Sequence, residues 1–241
     1  MNLIIDIGNT RIKFAVFKKS KMIHNESITK EIFIERALAL IKLFSCNNAI
    51  ISSVGAIKNV DLINLKGKIN LIELDSSTKI PFKNKYSTPK TLGVDRIALA
   101  SSAISTFPTE NVLIIDAGSC ITYDFVNSEG CYFGGAISPG IKMRYKALNT
   151  FTKNLPLFDP KHVSNLIGGS TEESIHIGIV CGVINEIDSF TSQYRKRNTN
   201  LTVVLTGGDA NFLSNRLKNG IFANPFFLME GLNSILIYNL K

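Results

Sequence analysis

The stretch LIIDIGNT at residues 3–10 ends an apolar run on an aspartate, Asp6, and follows it at once with Gly8, Asn9 and Thr10. Residues 113–120, LIIDAGSC, repeat the same Leu-Ile-Ile-Asp-Xaa-Gly frame in the second half of the chain. A carboxylate at the end of a buried strand costs free energy unless it has partners. A single Asp-Gly turn reads as an aspartate bonded to its own backbone. Two copies read differently. In each, the glycine permits close approach of the backbone. The residues that follow, Asn9-Thr10 or Ser119-Cys120, offer the amides and side-chain donors of a phosphate-binding hairpin. An aspartate beside such a hairpin suits a hard cation, Mg²⁺ or K⁺, that neutralises phosphate charge. Two hairpins facing one another make a phosphate clamp.

Working outward from the first hairpin, residues 2–7, 11–17 and 21–28 are short β-rich runs broken by turn residues, which predicts an antiparallel meander. The pattern then predicts a helix at 31–44, a strand at 49–53, a short helix at 58–66 and a strand at 69–74. A polar connection with Pro81 and Pro89 leads into a helix within 91–106. The second half repeats this order. Strands are expected at 111–116, 120–126 and 131–137, then a helix after Ser138-Pro139-Gly140 and a long helix at 171–196. A strand at 201–206 and helices at 209–218 and 228–239 complete it. The tandem β-β-β-α-β-α units predict an α/β chain of two mixed-sheet lobes, residues 1–109 and 110–241, with a central cleft.

The bulk properties agree with that reading. A chain of 241 residues, 45% hydrophobic and 19% charged, is long enough to bury a sizeable core. No run approaches the roughly 18 apolar residues of a membrane span and no signal peptide opens the chain, so a cytoplasmic location without membrane attachment is expected. The four cysteines form no CxxC pair and the three histidines are scattered, which argues against a zinc site and for reduced, mostly buried thiols. The net charge of +8 comes from lysines spread along the chain. Their densest cluster, Arg195, Lys196 and Arg197, reads as a solvated helix end, so no nucleic-acid partner is expected.

Two common nucleotide devices are missing. GAISPGIK at 135–142 has the glycine spacing of a GxxxxGK[ST] loop but Ile141 where the lysine belongs, and no GxGxxG occurs. A bound ATP must therefore rest on the repeated hairpins. That architecture is shared by the acetate and sugar kinase, heat-shock chaperone and actin superfamily, with two ribonuclease H-like (actin-like ATPase) lobes. Within it, YSTPKTLGVDR (86–96), IDAGSCITYD (115–124), GGAISPG (134–140), GGSTEES (168–174) and TGGDA (206–210), together with DIGNT, resemble the type III pantothenate kinase family over nearly the whole chain.

The resemblance implies ATP-dependent phosphorylation of pantothenate, the first step of coenzyme A biosynthesis, with Mg²⁺ accompanying ATP, a monovalent cation (K⁺ or NH₄⁺) and a homodimer. Carried over, it makes Asp6, Ile7, Gly8, Asn9, Thr10, Arg11, Ile12 and Lys13 the first ATP-phosphate hairpin. Asp116 becomes the monovalent-cation ligand and Ser119 a second nucleotide contact. Tyr86, Gly93, Val94, Asp95 and Arg96 become pantothenate contacts, with Asp95 the proton acceptor and Thr171 a further substrate contact. The family usually has threonine where this chain has Ser119, a change that keeps the hydroxyl. Arg96 pairs with the substrate carboxylate or tethers Asp95, the former being preferred. Gly207-Gly208 is an adenosine-side turn or a plain strand-to-helix turn. Asp124 and His176 are read as structural, and Glu172 and Glu173 as first-turn acids that need no catalytic role.

Overall fold

The computed structural model describes residues 1–8, 11–53, 59–218 and 221–241, with residues 59 and 60 described by their backbone alone. Asn9 and Thr10 of the expected hairpin, and position 58 of the expected second helix, lie outside the described residues. The chain forms two compact units. The first comprises Met1–Pro108, Gly130–Tyr132 and Phe226–Lys241, and the second Thr109–Glu129 and Phe133–Pro225.

In the first unit, β1 (Asn2–Ile7), β2 (Ile12–Lys18) and β3 (Lys21–Ile28) form the meander, followed by α1 (Phe33–Phe44), β4 (Asn48–Ser53), α2 (Asn59–Lys66) and β5 (Asn70–Glu73). The sheet order is β3-β2-β1-β4-β5. β1 runs antiparallel to β2 and parallel to β4. β1 and β4 lie inside the sheet with both faces covered, which is why they read as continuous apolar runs rather than alternating ones. β3 is an edge strand, and its residues alternate between exposed and half-buried. On α1, Phe33, Ala37 and Leu40 recur at helical spacing and pack against Leu3, Ile5, Phe14 and Val16 of the sheet. The polar connection after β5 holds a two-residue strand that the sequence pattern did not predict, β6 (Lys83–Asn84), paired with Cys131 and Tyr132. It leads to α3 (Val94–Thr106).

The second unit repeats the plan with β7 (Asn111–Ala117), β8 (Cys120–Val126), β9 (Cys131–Pro139), α4 (Ile141–Phe151), α5 (Thr171–Arg197), β10 (Leu201–Thr206), α6 (Ala210–Ser214) and β11 (Phe222–Ala223). Its strand order, β9-β8-β7-β10-β11, matches that of the first unit strand for strand. β7 is antiparallel to β8 and parallel to β10, as β1 is to β2 and β4. Asp6 and Asp116 thus occupy equivalent places, each one residue from the end of the central strand. One face is filled by Leu113, Ile115, Tyr123, Val203 and Leu205 against Ile141, Tyr145, Ile179, Val183 and Ile187 of α4 and α5. α6 stops at Ser214, short of the expected 218, and β11 was not expected, because a two-residue strand carries too little pattern to read.

The last helix, α7 (Phe227–Asn239), departs from the linear split at 109/110, since it packs on α3 and on β1 and β4 of the first unit. The cause is local. A Cβ on Gly231 would stand 1.9 Å from the Ala98 carbonyl oxygen, so the two helices meet backbone to backbone. Buried Asn233 accepts a hydrogen bond from Asn2 at 2.9 Å and donates one to the Lys19 carbonyl at 2.9 Å. No described helix is long and apolar enough to cross a membrane.

Candidate functional site

In the first unit, Asp6 lies opposite Lys13 on β2 and Ser52 on β4. Burial raises its pKa to about 6, Lys13 pulls it down, and Asp95 pushes it up. The Asp95 effect shows that the start of α3 lies within electrostatic reach of the end of β1. The hairpin closes through the Gly8 amide, which donates to the Arg11 carbonyl at 3.1 Å. Arg11 donates from Nε and Nη2 to the Ser27 hydroxyl and carbonyl, both at 2.9 Å, so its guanidinium is tied to β3. Ile7 and Ile12 are core residues, leaving their main chain for any ligand, whereas Lys13 is exposed.

At the start of α3 the Asp95 carboxylate accepts the Arg96 backbone amide at 2.9 Å. The partial positive charge of the helix N-terminus favours an acid there. A Cβ on Gly93 would lie 2.4 Å from Asp95 Oδ1, so glycine makes room for that carboxylate. Arg96 is buried, with its guanidinium carbon 5.5 Å from the centre of the Tyr86 ring. Tyr86 is positioned by Asn84, whose side-chain oxygen accepts its amide at 2.9 Å, and by Tyr132 at 6.2 Å between ring centres. Of the residues expected to meet pantothenate, Tyr86, Gly93, Asp95 and Arg96 are therefore brought together, with Val94 between them in the chain.

In the second unit, Asp116 lies opposite Thr122 on β8 and Thr206 on β10. The hairpin closes through the Gly118 amide, which donates to the Cys120 carbonyl at 2.9 Å, and Ser119 is exposed at its tip. Two other segments grip it. Gly140, which caps α4, donates to the Ser119 carbonyl at 3.2 Å. From the β10 side the Asp209 amide donates to the Ala117 carbonyl at 2.9 Å. Gly207 has φ +94°, and a Cβ there would stand 2.3 Å from both the Ala117 oxygen and Asp116 Oδ1. Only glycine fits that conformation and that space.

Sequence reasoning did not single out Asp209 and Lys142. Burial raises the Asp209 pKa and Lys142 lowers it, which places a cation and an acid beside the second hairpin. The signal was present in TGGDA and GAISPGIK: the lysine excluded from a phosphate loop by its spacing still arrives next to the Asp-Ala-Gly turn.

Thr171 is exposed at the first position of α5, where Ser170 accepts the Glu173 amide at 3.2 Å and Glu173 accepts the Gly169 amide at 2.7 Å. These two bonds form a capping arrangement that accounts for Glu173, while Glu172 lies 3.7 Å from Lys161 Nζ and 3.5 Å from His176 Nε2. Thr171 lines a groove of about 1120 Å³ between α4 and α5 that contains neither Asp116 nor Ser119. His176 is buried, with Nδ1 2.6 Å from the Tyr145 hydroxyl, and Asp124 is buried within β8. Cys46 and Cys131 are buried, Cys120 and Cys181 half-buried, and none of the four forms a disulfide. Among the described residues no three His, Cys, Asp or Glu side chains cluster closely enough to cage a metal.

The solved structures that this chain resembles share its two-lobed plan. A Campylobacter jejuni chain assigned to the Baf family of transcriptional activators superposes with a TM-score of 0.67 at 24% identity, covering 99% of this chain and 98% of that one. A glucokinase from an Antarctic psychrotroph superposes with a TM-score of 0.53 at 12% identity, covering 98% of each chain. At these identities the likeness carries the fold alone. Sequence similarity reaches further. The family model described as type III pantothenate kinase matches residues 2–193. The type III pantothenate kinase of Christiangramia forsetii is 49% identical over 241 residues, covering 99% of both chains. With the duplicated aspartate hairpins and the Gly93–Arg96 helix start in place, these matches show that the chain belongs to the type III pantothenate kinase family.

Proposed function

We propose that this kinase transfers the γ-phosphoryl group of ATP to the terminal hydroxyl of pantothenate, with Asp95 as proton acceptor, in the first step of coenzyme A biosynthesis. The observation that carries the reading is that the Asp95 charge reaches buried Asp6 and helps to raise its pKa. The helix start that resembles a substrate site thus lies within electrostatic reach of the strand end that resembles a phosphate hairpin.

Phosphoryl transfer asks a protein chiefly for positioning and charge neutralisation. The Gly8 hairpin, with Asn9 and Thr10 and the exposed Lys13, takes the phosphates, and Ser119 of the Gly118–Ser119 hairpin is a second nucleotide contact. Asp95 accepts the proton of the attacking hydroxyl, for which a carboxylate within about 3 Å suffices. Tyr86 and Val94 wall the pocket, and Arg96 meets the pantothenate carboxylate. Thr171 adds a substrate contact.

The residues present fit both cations. The Asp6 charge is costly to hold in its buried place until a cation stands beside it, as Mg²⁺ arriving with ATP does. Asp116, at the equivalent strand end, suits K⁺ or NH₄⁺. The absence of a carboxylate cage among the described residues agrees with a divalent ion carried largely by phosphates and water. When bound, these ions neutralise charge on the transferring phosphoryl group.

A homodimer seated on α4 and α5 completes the proposal. Met143 and Phe151 are exposed there, and on α5 a Cβ at Gly178 or Gly182 would meet nothing within 4 Å, so a second backbone can approach closely. Light scattering is expected to give twice the 26.5 kDa chain mass, and a monomer at micromolar concentration would remove this part. A cytoplasmic location goes with this reading.

The deciding experiment is ADP release from the purified protein with ATP and Mg²⁺, with and without pantothenate, in K⁺ against Na⁺. Pantothenate-dependent turnover that rises with K⁺ is expected. ATP hydrolysis indifferent to pantothenate would point to another small-metabolite kinase or a phosphatase, and no turnover in any salt to a binding or regulatory protein.

A further inference from the structure

The Glu186–Arg144 pair lies inside the second unit, where Arg144 lines the same groove as Thr171. Arg144 Nη2 stands 2.6 Å from Glu186 Oε2, and both side chains are about one-fifth exposed. The rest of the guanidinium faces the end of β9. Nε donates to the Pro139 carbonyl at 2.9 Å, and Nη2 donates to the Ser138 hydroxyl at 3.0 Å. The other Glu186 oxygen accepts the Tyr123 hydroxyl at 2.9 Å, and the Tyr123 ring is stacked on Phe190 with 4.2 Å between centres. Burial opposes the Glu186 charge, but hydrogen bonds from Arg144, Ser138 and Tyr123 outweigh it and hold its pKa below the usual carboxylate value.

These four residues join α4, α5, β8 and the end of β9 around one turn, Ser138-Pro139-Gly140. Gly140 is the residue whose amide grips the Ser119 carbonyl, and a Cβ on it would lie 2.2 Å from the Gly118 oxygen. Any shift of the turn therefore moves the hairpin directly. We infer that Glu186 and Arg144 are positioning residues for nucleotide binding: they fix the Ser138–Gly140 turn, which in turn fixes the Gly118–Ser119 hairpin. A guanidinium suits the task because its rigid fork bonds a carbonyl, a hydroxyl and a carboxylate at once, which the single ammonium of lysine cannot do.

The inference rests on the reading of that hairpin as a nucleotide contact, and the test separates the two. ATP and ADP affinities are measured by titration calorimetry, with no pantothenate present, for the parent, Glu186→Gln, Arg144→Met and Arg144→Lys. The KM values for ATP and pantothenate are measured beside them. Glu186→Gln and Arg144→Met are expected to weaken nucleotide binding and raise the ATP KM about tenfold, the effect of a small misplacement at a binding group. The pantothenate KM should stay within about twofold, and Arg144→Lys should recover part of the loss. Unchanged nucleotide affinity in folded variants, or an equal rise in both KM values, would overturn the inference. Should Arg144→Met fail to fold, the near-isosteric Glu186→Gln decides alone. If the parent binds nucleotide but never turns over pantothenate, the proposed reaction fails while the calorimetric comparison still judges the positioning role.

Discussion

Asp95→Asn is expected to lower kcat by about 100- to 10,000-fold while leaving the KM for ATP within a few-fold, because a positioned proton acceptor contributes on that order. Asparagine preserves the size of the side chain and can still accept the Arg96 amide at the start of α3. What it removes is the capacity to take a proton. If the acid served only the helix start, losing its charge would cost about 0.3–1 kcal/mol of stability and leave turnover intact. Steady-state kinetics with pantothenate, beside a thermal melt of the variant, separates these outcomes. A variant that melts near the parent temperature and turns over at the parent rate would remove Asp95 from the chemistry.

Asp6→Asn should show a loss and a gain together. Its turnover is expected to fall on the order of 100-fold, since charge at a phosphate site is worth several kcal/mol in the transition state. Its stability near neutral pH should rise. The Asp6 pKa is about 6 in the folded protein against an ordinary aspartate value of 3.8, so the folded state binds the proton more tightly than the unfolded one. Both states are protonated below about pH 4, and the group then costs nothing. Between about pH 4 and 6 the unfolded chain ionises first, and stability falls as pH rises, by on the order of 3 kcal/mol at 1.36 kcal/mol per pH unit. Above about pH 6 the full penalty is present. The variant should therefore melt roughly 6–12 °C above the parent at pH 7.5 and together with it at pH 4. Equal melting temperatures at both pH values would mean that Asp6 carries no such burden. A residue that destabilises the free protein where it serves a charged ligand is the usual mark of a functional carboxylate.

The fold was legible because its central signal is written twice. Leu-Ile-Ile-Asp appears at both central strands, and continuous apolar runs survive only where both sheet faces are covered, so β1 and β7 announced themselves. The edge elements did not. β6 and β11 are two residues long, and their place depends on what the rest of the sheet offers as a partner. The return of α7 to the first unit was hidden for a different reason. It depends on the backbone contact between Gly231 and Ala98, and nothing in the sequence ties positions so far apart. Among the candidate site residues, Asp6, Asp95 and Asp116 stand in local motifs. Asp209 and Lys142 also stand in quoted motifs, but the influence of Lys142 on Asp209, like the Glu186–Arg144 pair, arises only on folding.

The placement of α7 also bears on how the protein is made. The ribosome delivers residues in order, yet the first unit needs a helix that begins at Phe227, after the whole second unit has been synthesised. Until then the faces of α3, β1 and β4 that α7 covers stay open, and Asn2 lacks the Asn233 side chain to which it donates. The second unit, whose main segment is continuous, is free to close first. The nascent chain thus completes its halves in the reverse of their written order, and a chain stalled or clipped before residue 227 loses the half that was translated earliest.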